Sequence, residues 1–189
     1  MDESPSFIKE RNMELLEIMK NRYSVRSFKK EPISDQDLNS ILEVVKYAPT
    51  AKNNQPQKIY VIRNKEKINQ LSSICRCIYD APTVLVVGYD KNQAWVNKRI
   101  EGYCSGETDA SIVLTHIMLR AFELNVGSVW VGMFNDEEVR TTLELEENIQ
   151  ITALMPIGYI SEDSKPIQMH YDTKELKEMV EFVDLKKVP

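Results

Sequence analysis

Two stretches of this chain carry side chains suited to gripping a charged, ring-bearing molecule. The first reads Arg22-Tyr23-Ser24-Val25-Arg26-Ser27-Phe28, and the second reads Ala48-Pro49-Thr50-Ala51-Lys52-Asn53-Asn54-Gln55-Pro56. Arg22 and Arg26 flank a serine. A guanidinium fork binds a phosphate through two parallel hydrogen bonds, and a nearby hydroxyl adds a further donor. The second stretch is a run of hydroxyl and amide side chains stiffened by a proline at each end, which suits a heterocycle or sugar rich in hydrogen-bonding atoms. Each stretch also has an ordinary explanation: exposed arginines at a helix end, and Asn and Thr satisfying a turn.

The elements that would hold these residues are partly legible. Ser34-Asp35-Gln36-Asp37 is a capping-box candidate, with Ser34 as N-cap, Asp37 at N3, and Ile33 and Leu38 at the staple positions. Leu38, Ile41, Leu42 and Val45 follow on one helical face that stops before Pro49, so the amide-rich loop begins where a helix ends. Residues 58–63 and 83–89 are β-branched runs and read as strands. Residues 108–125 form a long helix with Ala110, Val113, Leu114, Ile117, Met118, Ala121 and Leu124 on its core face. Ile112, Leu119 and Phe122 widen that face, so the helix is expected to be central or at a subunit interface. A turn and strand over 126–134, a helix capped by Asn135, a strand over 150–160 and a short helix over 173–183 complete the pattern. The alternation has no strict βαβ rhythm, which predicts an α+β fold with a sheet between helical layers.

Size and charge narrow the function. At 189 residues the chain is expected to be one domain, spanning 1–189, with room for a sizeable core. Its net charge of −5 and lack of a long basic run argue against a nucleic-acid surface. The amino terminus is acidic where a signal peptide would be basic, and the longest uncharged stretch, 148–161, contains Pro156, so no membrane span is expected. Cys75, Cys77 and Cys104 have no metal-ligand spacing and read as free thiols of a cytoplasmic protein, with core packing as their ordinary role. The six glycines cannot spell G-x-G-x-x-G, and neither a phosphate-binding loop of the G-x-x-x-x-G-K type nor His-Glu-x-x-His occurs. His116, inside the apolar helix, reads as a core or interface histidine with a hydrogen-bond partner.

Taken in order, the motifs resemble the nitroreductase family, whose signature runs R-x-S-x-R-x-F and then A-P-S/T-x-x-N-x-Q-P. The segments Asp109-Ala110-Ser111, Gly127 through Phe134, Pro156-Ile157-Gly158-Tyr159, and Pro166 with His170 are similar to the same family, so the resemblance covers nearly the whole chain. It implies a dimeric three-layer α/β/α sandwich with a mostly antiparallel sheet. It also implies FMN at the subunit interface, with Arg22, Tyr23, Ser24 and Arg26 holding the phosphate and ribityl chain. Pro49, Thr50, Ala51, Asn53 and Gln55 would then come from the other subunit. The Gly132-Met133 turn would bring a backbone N–H to the reactive flavin edge. His170 falls near the phosphate. Relatives often carry an Arg-Lys pair just after it, but here those positions are Thr173 and Lys174, so Lys174 or Lys165 would act as a point charge instead.

The resemblance further implies NADH or NADPH as electron donor and a small aromatic acceptor, such as a nitro compound or quinone, in a ping-pong cycle. No side chain need be catalytic. Two other readings stay open on the same fold: different flavin chemistry (reductive dehalogenation or flavin breakdown) and FMN storage without turnover. Trp95 and Tyr103 could line a substrate mouth or simply pack.

Overall fold

The computed structural model describes residues 14–183. The acidic amino terminus and the charged tail past 183 lie outside the described residues. In chain order the elements are α1 (Leu15–Asn21), α2 (Asp35–Glu43), β1 (Gln57–Ile62), α3 (Lys65–Ile74) and β2 (Thr83–Asp90), followed by α4 (Gly106–Glu123), β3 (Val126–Ser128), α5 (Asp136–Leu143), β4 (Ile149–Tyr159) and α6 (Leu176–Met179). The strands form one sheet in the order β1-β2-β4-β3, and every neighbouring pair is antiparallel. The fold is therefore α+β.

Alternation along β2 builds two cores, one on each sheet face. Leu85, Val87 and Tyr89 pack with α2 and α4, while Val84 and Val86 pack with α3 and α5. Strand β4 follows the same rule with Ala153, Met155 and Ile157 on the first face and Leu154 on the second. A register shift between Val87 and Gly88 leaves Thr152 unmatched, so Ile151 falls on the second face instead of sharing the first with Ala153. Gly88 permits this bulge: a Cβ there would sit 2.2 Å from the Gln150 carbonyl oxygen. The result is a helix–sheet–helix sandwich.

Helix α4 spans the first face. Ala110, Val113, Leu114, Ile117 and Ala121 are fully buried, whereas Met118 and Leu124 lie half-buried at the rim of the expected core face. His116 is half-buried, and its Nδ1 lies 2.8 Å from the Ile112 carbonyl.

Helix α2 begins at Ser34, whose Oγ accepts the Asp37 N–H at 3.0 Å. Ile33 and Leu38 are buried in the same cluster, as the staple predicts. The reciprocal half of the capping box is indirect. The Ser34 N–H donates to the Tyr159 hydroxyl (3.2 Å), which donates to Asp37 Oδ2 (2.6 Å). A side chain from the end of β4 thus completes the cap and ties helix to sheet.

Three elements differ from the sequence reading. Helix α3 has an Asn64 cap that accepts the Lys67 N–H, but only Ile68 and Leu71 of its ten residues are buried, which leaves a faint periodic signal. The strand expected over 126–134 stops at Ser128 and resumes as a single bridge between Val131 and Leu154. The helix expected over 173–183 shrinks to Leu176–Met179, because its apolar residues find nothing among the described residues to pack against and stay exposed.

Candidate functional site

The Arg-Ser-Arg segment leaves α1 in extended conformation. The Arg22 N–H closes the helix onto the Ile18 carbonyl (2.9 Å), and the Val25 N–H donates to the Ser128 carbonyl (3.0 Å) beside β3. Val25 is fully buried and packs so closely on Gly127 that a Cβ there would meet it at 2.7 Å. With the side-chain period of two, the inward Val25 turns Ser24 and Arg26 to the other side.

There they line a cavity of about 290 Å³ with Arg22, Tyr23, Ile167, Met169 and His170. Tyr23 holds the parts together. Its ring meets Phe122 of α4 edge-on (6.5 Å) and His170 edge-on (6.3 Å), and its hydroxyl lies 3.2 Å from both the carbonyl and Oγ of Ser164. Among the described residues neither arginine forms an ion pair; Arg26 donates only to the Ser24 carbonyl of its own loop, at 3.2 Å. Two unneutralised guanidiniums, a hydroxyl and an imidazole around an open cavity form a donor set for a doubly charged anion such as a phosphate monoester. Lys174 is exposed and does not line this cavity.

Behind Arg26 stands Tyr79, which sequence reasoning did not single out. The Cys77 thiol beside it, and then burial, raise its pKa, while the Arg26 guanidinium pulls the other way.

The amide-rich loop lies elsewhere. Lys52, Asn53 and Gln55 all have left-handed backbones, with φ of 52°, 56° and 51°. Each such non-glycine residue costs about 1–3 kcal/mol unless its surroundings hold it. Here Thr50 Oγ1 accepts the Gln55 N–H (3.1 Å), Gln55 Nε2 donates to Asn53 Oδ1 (3.0 Å), and Asn54 Nδ2 donates to the Gln93 carbonyl (3.0 Å). The Asp90 N–H donates to the Pro56 carbonyl at 2.8 Å, fixing the loop's exit.

Its strongest tether is Asp109, in the first turn of α4. This carboxylate is 2% exposed, accepting the Ala51 N–H on Oδ1 (2.9 Å) and the Ser105 hydroxyl on Oδ2 (2.7 Å). The sequence reading placed Asp109 in a motif without giving it a role. The available signal was an acidic residue opening an otherwise apolar helix.

The two candidate segments therefore sit at opposite ends of α4. Asp109 touches the loop and Phe122 touches Tyr23, thirteen positions apart, or about 20 Å along the helix. The chain does not bring them together.

Gly132 and Met133 form the turn after the Val131 bridge. Gly132 needs no left-handed backbone, and a Cβ on it would meet nothing within 4 Å, so its peptide presents an open face that a flat group could approach. Met133 is 71% exposed, and its carbonyl accepts the Cys75 thiol at 3.5 Å.

The sequence profile of the Nitroreductase family matches residues 19–78 and 75–159. The chain belongs to the Nitroreductase family. A nitroreductase family protein from Clostridium difficile 630 is 36% identical, covers 92% of this chain and 100% of its own, and superposes with a TM-score of 0.84. An FMN reductase [NAD(P)H] from Bacillus subtilis is 27% identical across 80% of this chain and 68% of its own. A Desulfovibrio desulfuricans protein whose structure was solved in complex with FMN shares the fold at a TM-score of 0.74. It is 22% identical and covers 98% of this chain and 100% of its own. The nitroreductase motifs thus fall on the arginine cavity, on the loop tethered by Asp109 and on the open Gly132 turn. Among the described residues no helix is long and apolar enough to cross a membrane.

Proposed function

We propose that this chain is a single-domain FMN-dependent oxidoreductase, working as a homodimer, that moves electrons from NADH or NADPH to a small aromatic acceptor. The observation that carries the reading is the cavity where Arg22, Ser24 and Arg26, free of carboxylate partners among the described residues, face His170. When bound, FMN supplies the redox chemistry, taking hydride from the nicotinamide and delivering electrons to the acceptor. The residues present fit this group: the donor set matches one phosphate, and the Gly132 peptide has room beside it for a ring.

The chain's own residues bind, orient and shield. Arg22 and Arg26 neutralise the phosphate, Ser24 adds a hydroxyl, and Tyr23 keeps the His170 segment over it. The backbone at Gly132 and Met133 lies toward the ring edge, and Lys174 adds charge from the periphery. Pro49, Thr50, Ala51, Asn53 and Gln55 serve the partner subunit's cofactor. Support comes from the roughly 20 Å between the two segments. The carboxy-terminal stretch also leaves Ile167, Met169, Tyr171, Leu176, Met179 and Phe182 exposed, apolar surface that a second copy would cover. No side chain is assigned acid–base or nucleophilic work.

Steady-state oxidation of NAD(P)H with a panel of nitro compounds and quinones tests the reading. Parallel double-reciprocal lines are expected from a ping-pong cycle. Tight FMN binding without turnover would make the protein a flavin store, and turnover confined to haloaromatics would make it a dehalogenase.

A further inference from the structure

Of the groups around the arginine cavity, one belongs to a class that changes charge near neutral pH. Arg22 and Arg26 carry fixed positive charge, Ser24 and Tyr23 bring hydroxyls, and His170 brings an imidazole. Among the described residues no carboxylate lines the cavity. His170 is set in place by its neighbours. Its backbone N–H closes a tight turn onto the Ile167 carbonyl at 2.9 Å, and its half-buried ring meets Tyr23 (6.3 Å) and Tyr171 (4.9 Å) edge-on. Tyr23 is itself tied to Ser164 and Phe122. On α4, which reaches the ring through Phe122 and Tyr23, Arg120 and Glu123 pair with each other at 2.6 Å. On α1, Lys20 pairs with Glu17 at 2.9 Å. On the segment of His170 itself, Asp172 accepts from Gln168 Nε2 at 3.4 Å, while Glu162, Asp163, Lys165 and Lys174 are exposed and line no part of the cavity. The charges that share the cavity with the imidazole are therefore the two guanidiniums.

We propose that His170 is a proton-linked third cation of this cavity, protonated as the phosphate monoester of FMN binds, so that the grip on the cofactor depends on pH. The inference rests on the FMN reading above. Two like charges across a cavity disfavour a third, and a dianion between them reverses the preference. The phosphate predominates as its dianion above about pH 6. Arg22 and Arg26 balance its two charges, and the imidazolium adds a charge-assisted N–H donor. The proton comes from solvent onto the free ring nitrogen, and no covalent bond to the cofactor forms or breaks.

The sign follows from linkage. The cofactor-bound state holds the proton more firmly than the free protein, so the added affinity is complete at the acid end of the window and is lost as pH rises. Below about pH 6, protonation of the phosphate itself works in the opposite direction, so affinity should peak in between. Riboflavin, which has no phosphate, gives the imidazole nothing to pair with.

Calorimetric titration of the full chain, in buffers of different ionisation enthalpy, counts the protons that accompany binding. Wild type should show net proton uptake with FMN and none with riboflavin, and its FMN affinity should fall roughly tenfold from about pH 6.5 to about pH 8.5. His170→Gln keeps a hydrogen-bonding side chain without the charge, and should bind FMN without net uptake and with nearly level affinity over that range. His170→Arg fixes the charge and should bind tightly at every pH, again without uptake, a rescue that a purely structural role for His170 would not give. The chain has two histidines, so NMR can follow each ring. His116, whose Nδ1 lies 2.8 Å from the Ile112 carbonyl, serves as the internal control. With FMN bound, the His170 imidazolium signal should persist to higher pH while that of His116 does not move. Equal proton uptake by wild type and His170→Gln, or a His170 signal indifferent to FMN, would overturn the proposal. A chain that binds no FMN at any pH fails the cofactor reading. Inorganic phosphate then replaces FMN in the NMR titration, where a response at His170 supports the proton-linked cavity and its absence rejects it.

Discussion

Asp109 accepts the Ala51 N–H at 2.9 Å across 58 residues of sequence. One buried carboxylate at the start of the central helix thereby sets the position of the loop that carries Thr50, Asn53 and Gln55. Asp109→Ala would strand two donors, the Ala51 N–H and the Ser105 hydroxyl. It should cost about 2–4 kcal/mol in urea unfolding with an unchanged m-value. Asp109→Asn retains an acceptor for the Ala51 N–H and should lose less. Equal stability of wild type and Asp109→Ala would show that the tether contributes nothing.

Arg26→Ala should weaken FMN binding by roughly ten- to a hundredfold, or about 1.5–3 kcal/mol, with little change in unfolding midpoint because Arg26 is exposed. Arg26→Lys keeps the charge without the fork and should fall between the two. Fluorescence titration with FMN provides the comparison, and identical affinities would locate the phosphate contact elsewhere.

Tyr159→Phe removes the hydroxyl that joins the Ser34 N–H to Asp37. The expected loss is about 1–2 kcal/mol of stability, since a capping donor and a carboxylate both lose a partner. FMN affinity should be unaffected in that variant, because Tyr159 does not line the arginine cavity. A stability equal to that of wild type would mean that water replaces the hydroxyl without cost.

How far the sequence led depends on how local each signal was. Ser34, Ile33 and Leu38 mark the start of α2 within six residues, and the structure bears all three out. The alternating faces of β2 follow from a run of β-branched residues. Helix α3 was missed because two buried positions in ten residues make a weak period. The β4 bulge was missed because it arises from pairing with Gly88, a residue over sixty positions away. At the site, Arg22, Tyr23, Ser24, Arg26 and His170 line one cavity, whereas Asn53 and Gln55 bond to each other within the chain. The roles of Asp109 and Ser105 were not legible because they depend on the Ala51 N–H, a partner that only folding brings close.

Complementation tests whether sites span subunits. Arg26→Ala and Asn53→Ala chains, each poor in FMN binding alone, should regain part of it when mixed and allowed to exchange. A mixed dimer places both lesions in one site and leaves the other intact. No recovery after verified exchange would mean that each chain builds its own site, and light scattering that finds an FMN-loaded monomer would reject the dimer.

The central claim is that this chain holds FMN and passes electrons through it. Anaerobic titration of the FMN-loaded protein with NADH, and separately with NADPH, measures this most directly. The yellow absorbance should bleach with one equivalent of at least one nucleotide and return when a quinone or nitro compound is added. A chain that binds no FMN, or a bound flavin that neither nucleotide bleaches, would contradict the account.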